Sequence, residues 1–494
     1  MSNPVDLKTQ KYDRQLRLWA TTGQKALEEA HICLLNASST GCEIIKNLVL
    51  PGVGHVTIVD NSKVTKQDIQ NNFFLDPEST GRSKSKSTAE LLQELNEDAS
   101  VVHEEKNPSE LIRNNPEFFD PFTMIITVNM AEQEVLNLAA ICNESKKTLI
   151  TVKNKGLVGV FSIQAPEHTV IETHPDNTTD LRLSKPFQQL IDYVSTFDFD
   201  KLDQTDLGQV PFVVVLLKYV ELWKKEDSSI QIPLSYAQKK VLVERINAGK
   251  RTPDQENFDE AIANAWRLCS ADRISDEVLQ ILEDTSCQGA HSDSPYFWIL
   301  ARALRDFVET ESGGQLPLSG KLPDMKSDTM NYIGLQKVYR EKALSDFESV
   351  KRSVKGLVEG TDLVIPDETI EIFCKNASNL RVIQYRSLTE NHVQPEKLAA
   401  DKFYRKYGRF PAAQEDFNTL KEQTQLLIQD LGVTDTEVHE TIVRFGDMET
   451  PNMAALVGGL VAQEAIKLIT HQYIPINNTC VFNGITSTSN VFEL

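Results

Sequence analysis

The chain has 494 residues, 40% of them hydrophobic and 25% charged, which is enough for two or three cored domains of an ordinary globular protein. A formal net charge of −20 argues against nucleic acid or an anionic membrane as the main partner. The seven cysteines include no Cys-x-x-Cys pair, which argues against a cysteine zinc site and fits a reducing compartment. The start, Met1 to Gln10, is polar and unlike a signal peptide, and no apolar run reaches the roughly 18 residues of a membrane span. The expected location is the cytoplasm, with the nucleus as a second compartment.

His31 to Leu35 reads as a short buried strand. Asn36-Ala37-Ser38-Ser39-Thr40-Gly41 and a helical run from Cys42 to Leu50 follow it. A second strand, His55 to Val59, ends in Asp60, 19 residues after Gly41. This is the layout of a Rossmann unit with its ribose-binding acid in place. Of Gly-x-Gly-x-x-Gly, however, only the last glycine survives, as Gly41; Asn36 and Ser38 fill the other slots. The missing glycines normally allow a tight turn and close backbone approach to phosphate. The pattern predicts a retired nucleotide site, with Asp60 left as a turn or helix cap.

Asn61 to Ser87 reads as irregular, Thr88 to Leu95 as a helix and Val101 to His103 as a strand. Met124 to Val128 is a strand rich in β-branched residues, Ala131 to Asn143 a helix, and Leu149 to Val152 and Val158 to Ile163 are strands. Strands alternating with helices predict an α/β fold with a mostly parallel, doubly wound sheet. From about residue 166 the pattern turns helical: Phe212 to Lys225, Tyr236 to Ala248, Asn257 to Leu268, Pro295 to Thr310 and Met330 to Val358. A breaker-rich loop spans Glu311 to Asp328. An apolar helix, Met453 to Ile469, contains Gly458 and Gly459, whose small size predicts close packing on a sheet. Strands at Thr479 to Phe482 and Val491 to Leu494 close the chain.

The opening Tyr12-Asp13-Arg14-Gln15-Leu16-Arg17, the Gly41 to Leu48 run and the closing helix Val457 to Lys467 resemble ubiquitin-activating enzymes and their bacterial adenylating relatives. Within that family, several strings are similar to the regulatory, cysteine-lacking subunits of neddylation-activating enzymes. They are His174 to Asn177, Asp180 to Leu183, Phe297 to Leu304, Pro323 to Met325 and Leu335 to Ala343. The likeness runs nearly end to end.

The resemblance implies a Rossmann-like pseudo-adenylation domain over residues 1–165 and 401–494, interrupted by a mainly helical insertion, 166–400, that lacks the catalytic cysteine. It implies a heterodimer whose other, cysteine-bearing subunit binds ATP and magnesium, adenylates a ubiquitin-like modifier and holds it as a thioester. The modifier, and its conjugating enzyme, are the further partners implied; nucleic acid and membrane are not. No cofactor or metal is expected in this chain. Competent relatives carry Asp-x-Asp and then Asn-x-x-Arg after the second strand; here those positions read Asp60, Ser62, Asp68 and Asn71. A further acid reads Asn129. Adenylyl transfer depends on charge stabilisation, so these replacements predict an inactive pocket. Cys269, Cys287 and Cys374 lack the setting of a thiolate nucleophile and read as core or incidental residues.

One residue keeps a chemical role by resemblance. Arg14 is expected to reach in trans into the partner's ATP site, with Arg17 as the fallback and Tyr12 and Gln15 anchoring the segment. The expected partner interface comprises Tyr12, Gln15, Arg17, Tyr332, Gln336 and Tyr339. Three other readings stay open: the small subunit of the SUMO-activating enzyme, which lacks an insertion of this size; an NAD-dependent oxidoreductase, which needs the absent glycines; and a non-catalytic scaffold.

Overall fold

The computed structural model describes residues 10–174, 179–270, 273–388 and 448–493. The chain divides into two units, one of residues 1–170 and 382–494 and one of residues 171–381. The insertion therefore begins close to the expected boundary at 166 and ends well before 400, a position outside the described residues. The reason is visible after Arg381. Tyr385 packs on the core of the first unit and donates to Ile476 O at 2.9 Å, and Leu388 N donates to Gln164 Oε1 at 2.7 Å.

The first unit is built on an eight-stranded sheet. Its strands are β1 (His31–Leu35), β2 (His55–Val59), β3 (Ser100–Glu104), β4 (Met124–Val128), β5 (Thr148–Lys155), β6 (Val158–Gln164), β9 (Thr479–Asn483) and β10 (Thr488–Phe492). β7 (His168–Val170) and β8 (Arg381–Ile383) form a separate small pair. The order in the main sheet is β10-β9-β6-β5-β4-β1-β2-β3. The five strands from β3 to β5 run parallel, and β6, β9 and β10 continue the sheet antiparallel.

The parallel strands are apolar on both faces, because helices cover both. Ile32, Leu34, Val56, Ile58, Ile126 and Ile150 point into one core with α1 (Asp13–Glu29), α2 (Ser39–Val49), α4 (Lys84–Gln93) and α15 (Pro451–Thr470). Cys33, Leu35, Val59, Ile125 and Leu149 point into the other with α5 (Pro108–Asn114) and α6 (Glu132–Glu144). The glycines of α15 act differently from expectation. A Cβ on Gly458 would lie 2.7 Å from Glu43 Cβ, so Gly458 admits helix α2; the approach of α15 to the sheet is allowed by Gly159 of β6, where a Cβ would lie 2.4 Å from Val457. α15 is long and apolar enough to cross a membrane, yet it packs Met453, Val457, Val461 and Ala465 into this core and pairs Glu464 with Lys467.

One helix and the first turn of another were hidden in the sequence near β2. α3 (Lys66–Asn71) lies inside the stretch read as irregular, and α4 starts at Lys84 rather than Thr88. Both are set by polar caps rather than by apolar periodicity: Thr65 and Asp68 form a capping box, and Ser83 caps α4. The unpredicted α1 is two helical pieces joined at a kink, with Ala20 at φ 55°.

The second unit is helical: α7 (Gln188–Ser195), α8 (Phe212–Glu226), α9 (Tyr236–Gly249), α10 (Glu256–Asn264), α11 (Asp276–Glu283), α12 (Tyr296–Thr310), α13 (Thr329–Leu357) and α14 (Asp367–Lys375). Phe212 to Leu217 of α8 are all buried, as a helix apolar on every side requires. Residues 313–328 form the predicted loop before α13.

Candidate functional site

The β1–α2 turn has been rebuilt without its glycines. Asn36 stands at φ 80°, a conformation that asparagine tolerates better than most residues, and its amide donates to Val128 O at 2.8 Å. Ser38 replaces the second glycine and caps α2, accepting from Gly41 N at 3.3 Å. Gly41 is retained for a packing reason: a Cβ there would lie 2.9 Å from Asn36 O and 3.1 Å from Leu34.

Asp60 is 4% exposed, and its carboxylate is spent on the turn. Oδ2 accepts from Ala37 N at 2.9 Å and Oδ1 from Ser62 N at 2.7 Å. It is a turn cap, as its residue type and place predicted, and not an acid turned toward a ligand. Asp68 completes the α3 capping box and pairs with Lys84 at 2.8 Å. Burial disfavours both charges, but their hydrogen bond and mutual attraction prevail, so Lys84 is held above its ordinary pKa and Asp68 below its own.

A residue that no motif announced fills the centre. Glu449, 7% exposed, immediately precedes α15 and its short cap, and Oε2 accepts from Thr40 N in the first turn of α2 at 2.8 Å. Oε1 accepts from Asn129 Nδ2 at 2.5 Å. The Asn129 amide is fixed in orientation, since its oxygen accepts from Asn154 N at 2.9 Å. Burial raises the Glu449 carboxyl above the usual range, and the Thr40 backbone N–H, the nearby Ser38 and Thr40 hydroxyls and Lys84 partly offset that. The backbone on either side is docked too: Gly156 N donates to Met448 O at 2.9 Å and Thr450 Oγ1 to Gly156 O at 3.1 Å. Spacing could not have revealed Glu449, because 409 residues separate it from Thr40.

The groups that would hold a nucleotide with magnesium are engaged within the chain. The helix end where phosphate would dock is accepted by Glu449, Asp60 faces backbone, and Lys84 is answered by Asp68. Among the described residues no group of three or more His, Cys, Asp or Glu is gathered. The thiols are equally withdrawn: burial pushes Cys42 and Cys374 up to about 12 and Cys287 up to about 11, and Cys269 is half-buried. A thiolate nucleophile needs the opposite setting.

The start of α1 contrasts with this. Tyr12 is buried; its hydroxyl accepts from Asn96 Nδ2 at 2.9 Å and donates to Asp98 at 3.2 Å. Its ring packs so tightly on Gly52 (φ 105°) that a Cβ there would lie 3.1 Å from Cζ. Lys11 pairs with the same Asp98 at 2.6 Å. On this fixed base Arg14 is exposed and makes no hydrogen bond or ion pair with the described residues, whereas Arg17 pairs with Asp13 at 2.9 Å.

The ThiF family model matches residues 12–494. The chain is 38% identical to the NEDD8-activating enzyme E1 regulatory subunit of Danio rerio, and 39% to that of Xenopus laevis, over the whole of each chain. It is 39% identical to the NEDD8-activating enzyme E1 regulatory subunit AXR1 of Arabidopsis thaliana, over 99% of this chain and 97% of that one. The chain belongs to the ThiF family, among the NEDD8-activating enzyme E1 regulatory subunits. Among solved structures, Escherichia coli tRNA N6-threonylcarbamoyladenosine dehydratase overlaps 32% of this chain and 68% of its own at 18% identity and a TM-score of 0.29.

Two of the expected interface residues are not on the surface. Tyr12 is the buried anchor just described. Tyr339 is fully buried, donates to Leu181 O at 2.6 Å and meets Phe187 edge to face. It continues the Leu335 stripe at i+4, which is the inward side of α13. Gln15, Tyr332 and Gln336 are half-buried and Arg17 is exposed. The outward side of α13 carries Met330, Ile333 and Leu344 instead.

Proposed function

We propose that the chain is the regulatory subunit of a heterodimeric activating enzyme for the neddylation modifier, with no adenylation chemistry of its own. Its cysteine-bearing partner binds ATP and magnesium, adenylates the modifier and forms the thioester. Arg14 enters the partner's ATP site and neutralises charge as the acyl adenylate forms, while the rest of the first unit carries the dimer contact. Arg17, Gln15, Tyr332 and Gln336 contribute to contacts with partner, modifier or conjugating enzyme.

The observation that most supports this reading is the filled cradle in a chain similar from end to end to regulatory subunits. An exposed arginine with no partner among the described residues, on a segment pinned by Tyr12 and Lys11, supports the role given to Arg14. The test is ATP–pyrophosphate exchange dependent on the modifier, measured with this chain, with the cysteine-bearing subunit and with both. Exchange only with both present is expected. Exchange by this chain alone overturns the reading, and no gain on combining the two moves it to the scaffold alternative.

A further inference from the structure

We propose that Glu449 is a resident anion that occupies the phosphate position at the N-terminus of α2, and so determines that this chain refuses nucleotide. The proposal concerns this chain alone and does not depend on its role toward a partner.

The N-terminal N–H groups of a helix following a Rossmann β1 are an anion site by construction, because they lack intrahelical acceptors and carry the positive end of the helix dipole. Here the anion is supplied from within. Thr40 N donates to one carboxylate oxygen and Asn129 Nδ2 to the other. Because the Asn129 amide cannot turn over without losing Asn154 N, both oxygens of Glu449 accept, and neither contact asks the carboxyl for a proton. The Ser38 hydroxyl, standing where the second glycine would be, and Lys84 are close enough to favour the charged form of the same carboxylate. A backbone amide and a side-chain amide that donate, with a lysine near by, are groups that a phosphate would also use. Loss of the glycines alone would weaken phosphate binding; a built-in carboxylate competes with it at an effective concentration no free nucleotide reaches.

The experiment titrates the full chain, without partner, with inorganic pyrophosphate and with ATP by calorimetry, in the native form and as Glu449→Ala. The native chain is expected to give no saturable binding. Glu449→Ala opens the site and is expected to bind pyrophosphate saturably, with a Kd at least about tenfold below the highest concentration at which the native chain shows no binding. Its melting temperature should also rise on adding phosphate, while that of the native chain does not. A native chain that binds either ligand saturably, with no gain in the variant, overturns the proposal. So does a folded Glu449→Ala that melts lower but ignores phosphate, the behaviour of a merely structural cap. If Glu449→Ala does not fold, the nearly isosteric Glu449→Gln takes the same measurements. If neither folds, refolding is scored with and without phosphate: recovery with phosphate supports the resident anion and no recovery overturns it.

Discussion

The nucleotide cradle and the start of α1 treat charge in opposite ways. In the cradle, Glu449, Asp60, Asp68 and Lys84 are each answered by a donor or a counter-charge inside the same chain. At the start of α1, Lys11 and Tyr12 are anchored, but Arg14 is exposed and unanswered among the described residues. On the proposed reading, the nucleotide site is silenced by satisfying its polar groups rather than by emptying it, and Arg14 is kept for use elsewhere. Holding Arg14 out costs little in water, whereas each unanswered group in the cradle would cost about 1–3 kcal/mol.

The largest expected effect tests the outward side of this contrast. Arg14→Ala should lower modifier-dependent exchange by the two subunits on the order of a thousandfold, and leave the melting temperature of this chain unchanged. A pair that exchanges at the native rate with Arg14→Ala removes the in-trans role. The inward side is tested by Asp60→Ala, which strands the Ala37 and Ser62 N–H groups and should cost about 1–3 kcal/mol in urea unfolding. Exchange by the pair should be unaffected once the variant is folded; a changed ATP dependence would mean that Asp60 still serves nucleotide.

His168 gives a smaller, pH-dependent effect, and it sits outside both regions with a buried Nε2 lacking a hydrogen bond. Burial and the stacked His471, 4.5 Å away, lower its pKa to about 3. The unfolded chain therefore binds one more proton than the folded chain between pH 6.5 and about 3. The contribution is complete above pH 6.5 and is lost on acidification, with a slope of at most about 1.4 kcal/mol per pH unit. Across that range the native chain should lose unfolding free energy relative to His168→Phe as pH falls. The smallest effect is that of Tyr339→Phe, which removes one buried hydrogen bond to Leu181 O and should cost about 1 kcal/mol without weakening the pair. Tyr332→Ala and Gln336→Ala should do the reverse, sparing stability and lowering affinity for the partner in a binding titration.

Much of the fold was legible because its signals are local. β1, β2 and β4 were bounded by their own β-branched and aliphatic residues, and the Rossmann turn announced itself by what replaced its glycines. What escaped was polar or distant. α3 and the first turn of α4 depend on side-chain caps, with few apolar residues to set a period. The inward direction of Tyr339 was hidden by its hydroxyl, although the Leu335–Tyr339 spacing carried it. At the site, the residues lost from the cradle could be read directly, and so could the cap role of Asp60. Glu449 could not, because a lone acid before a helix is ordinarily a cap of that helix, whereas here it serves another helix at the far end of the chain.

That span sets an order of events during synthesis. A nascent chain that has emerged through β6 holds the parallel strands and α2, but not α15, β9 or the carboxylate that meets Thr40. β6 is then an open edge of seven residues, a template for pairing with other chains until β9 arrives. Contacts across so long a separation form only after the loop between them has closed. The return of the last segment therefore shuts the sheet edge and quenches the helix end together, and a truncated product is left with both exposed.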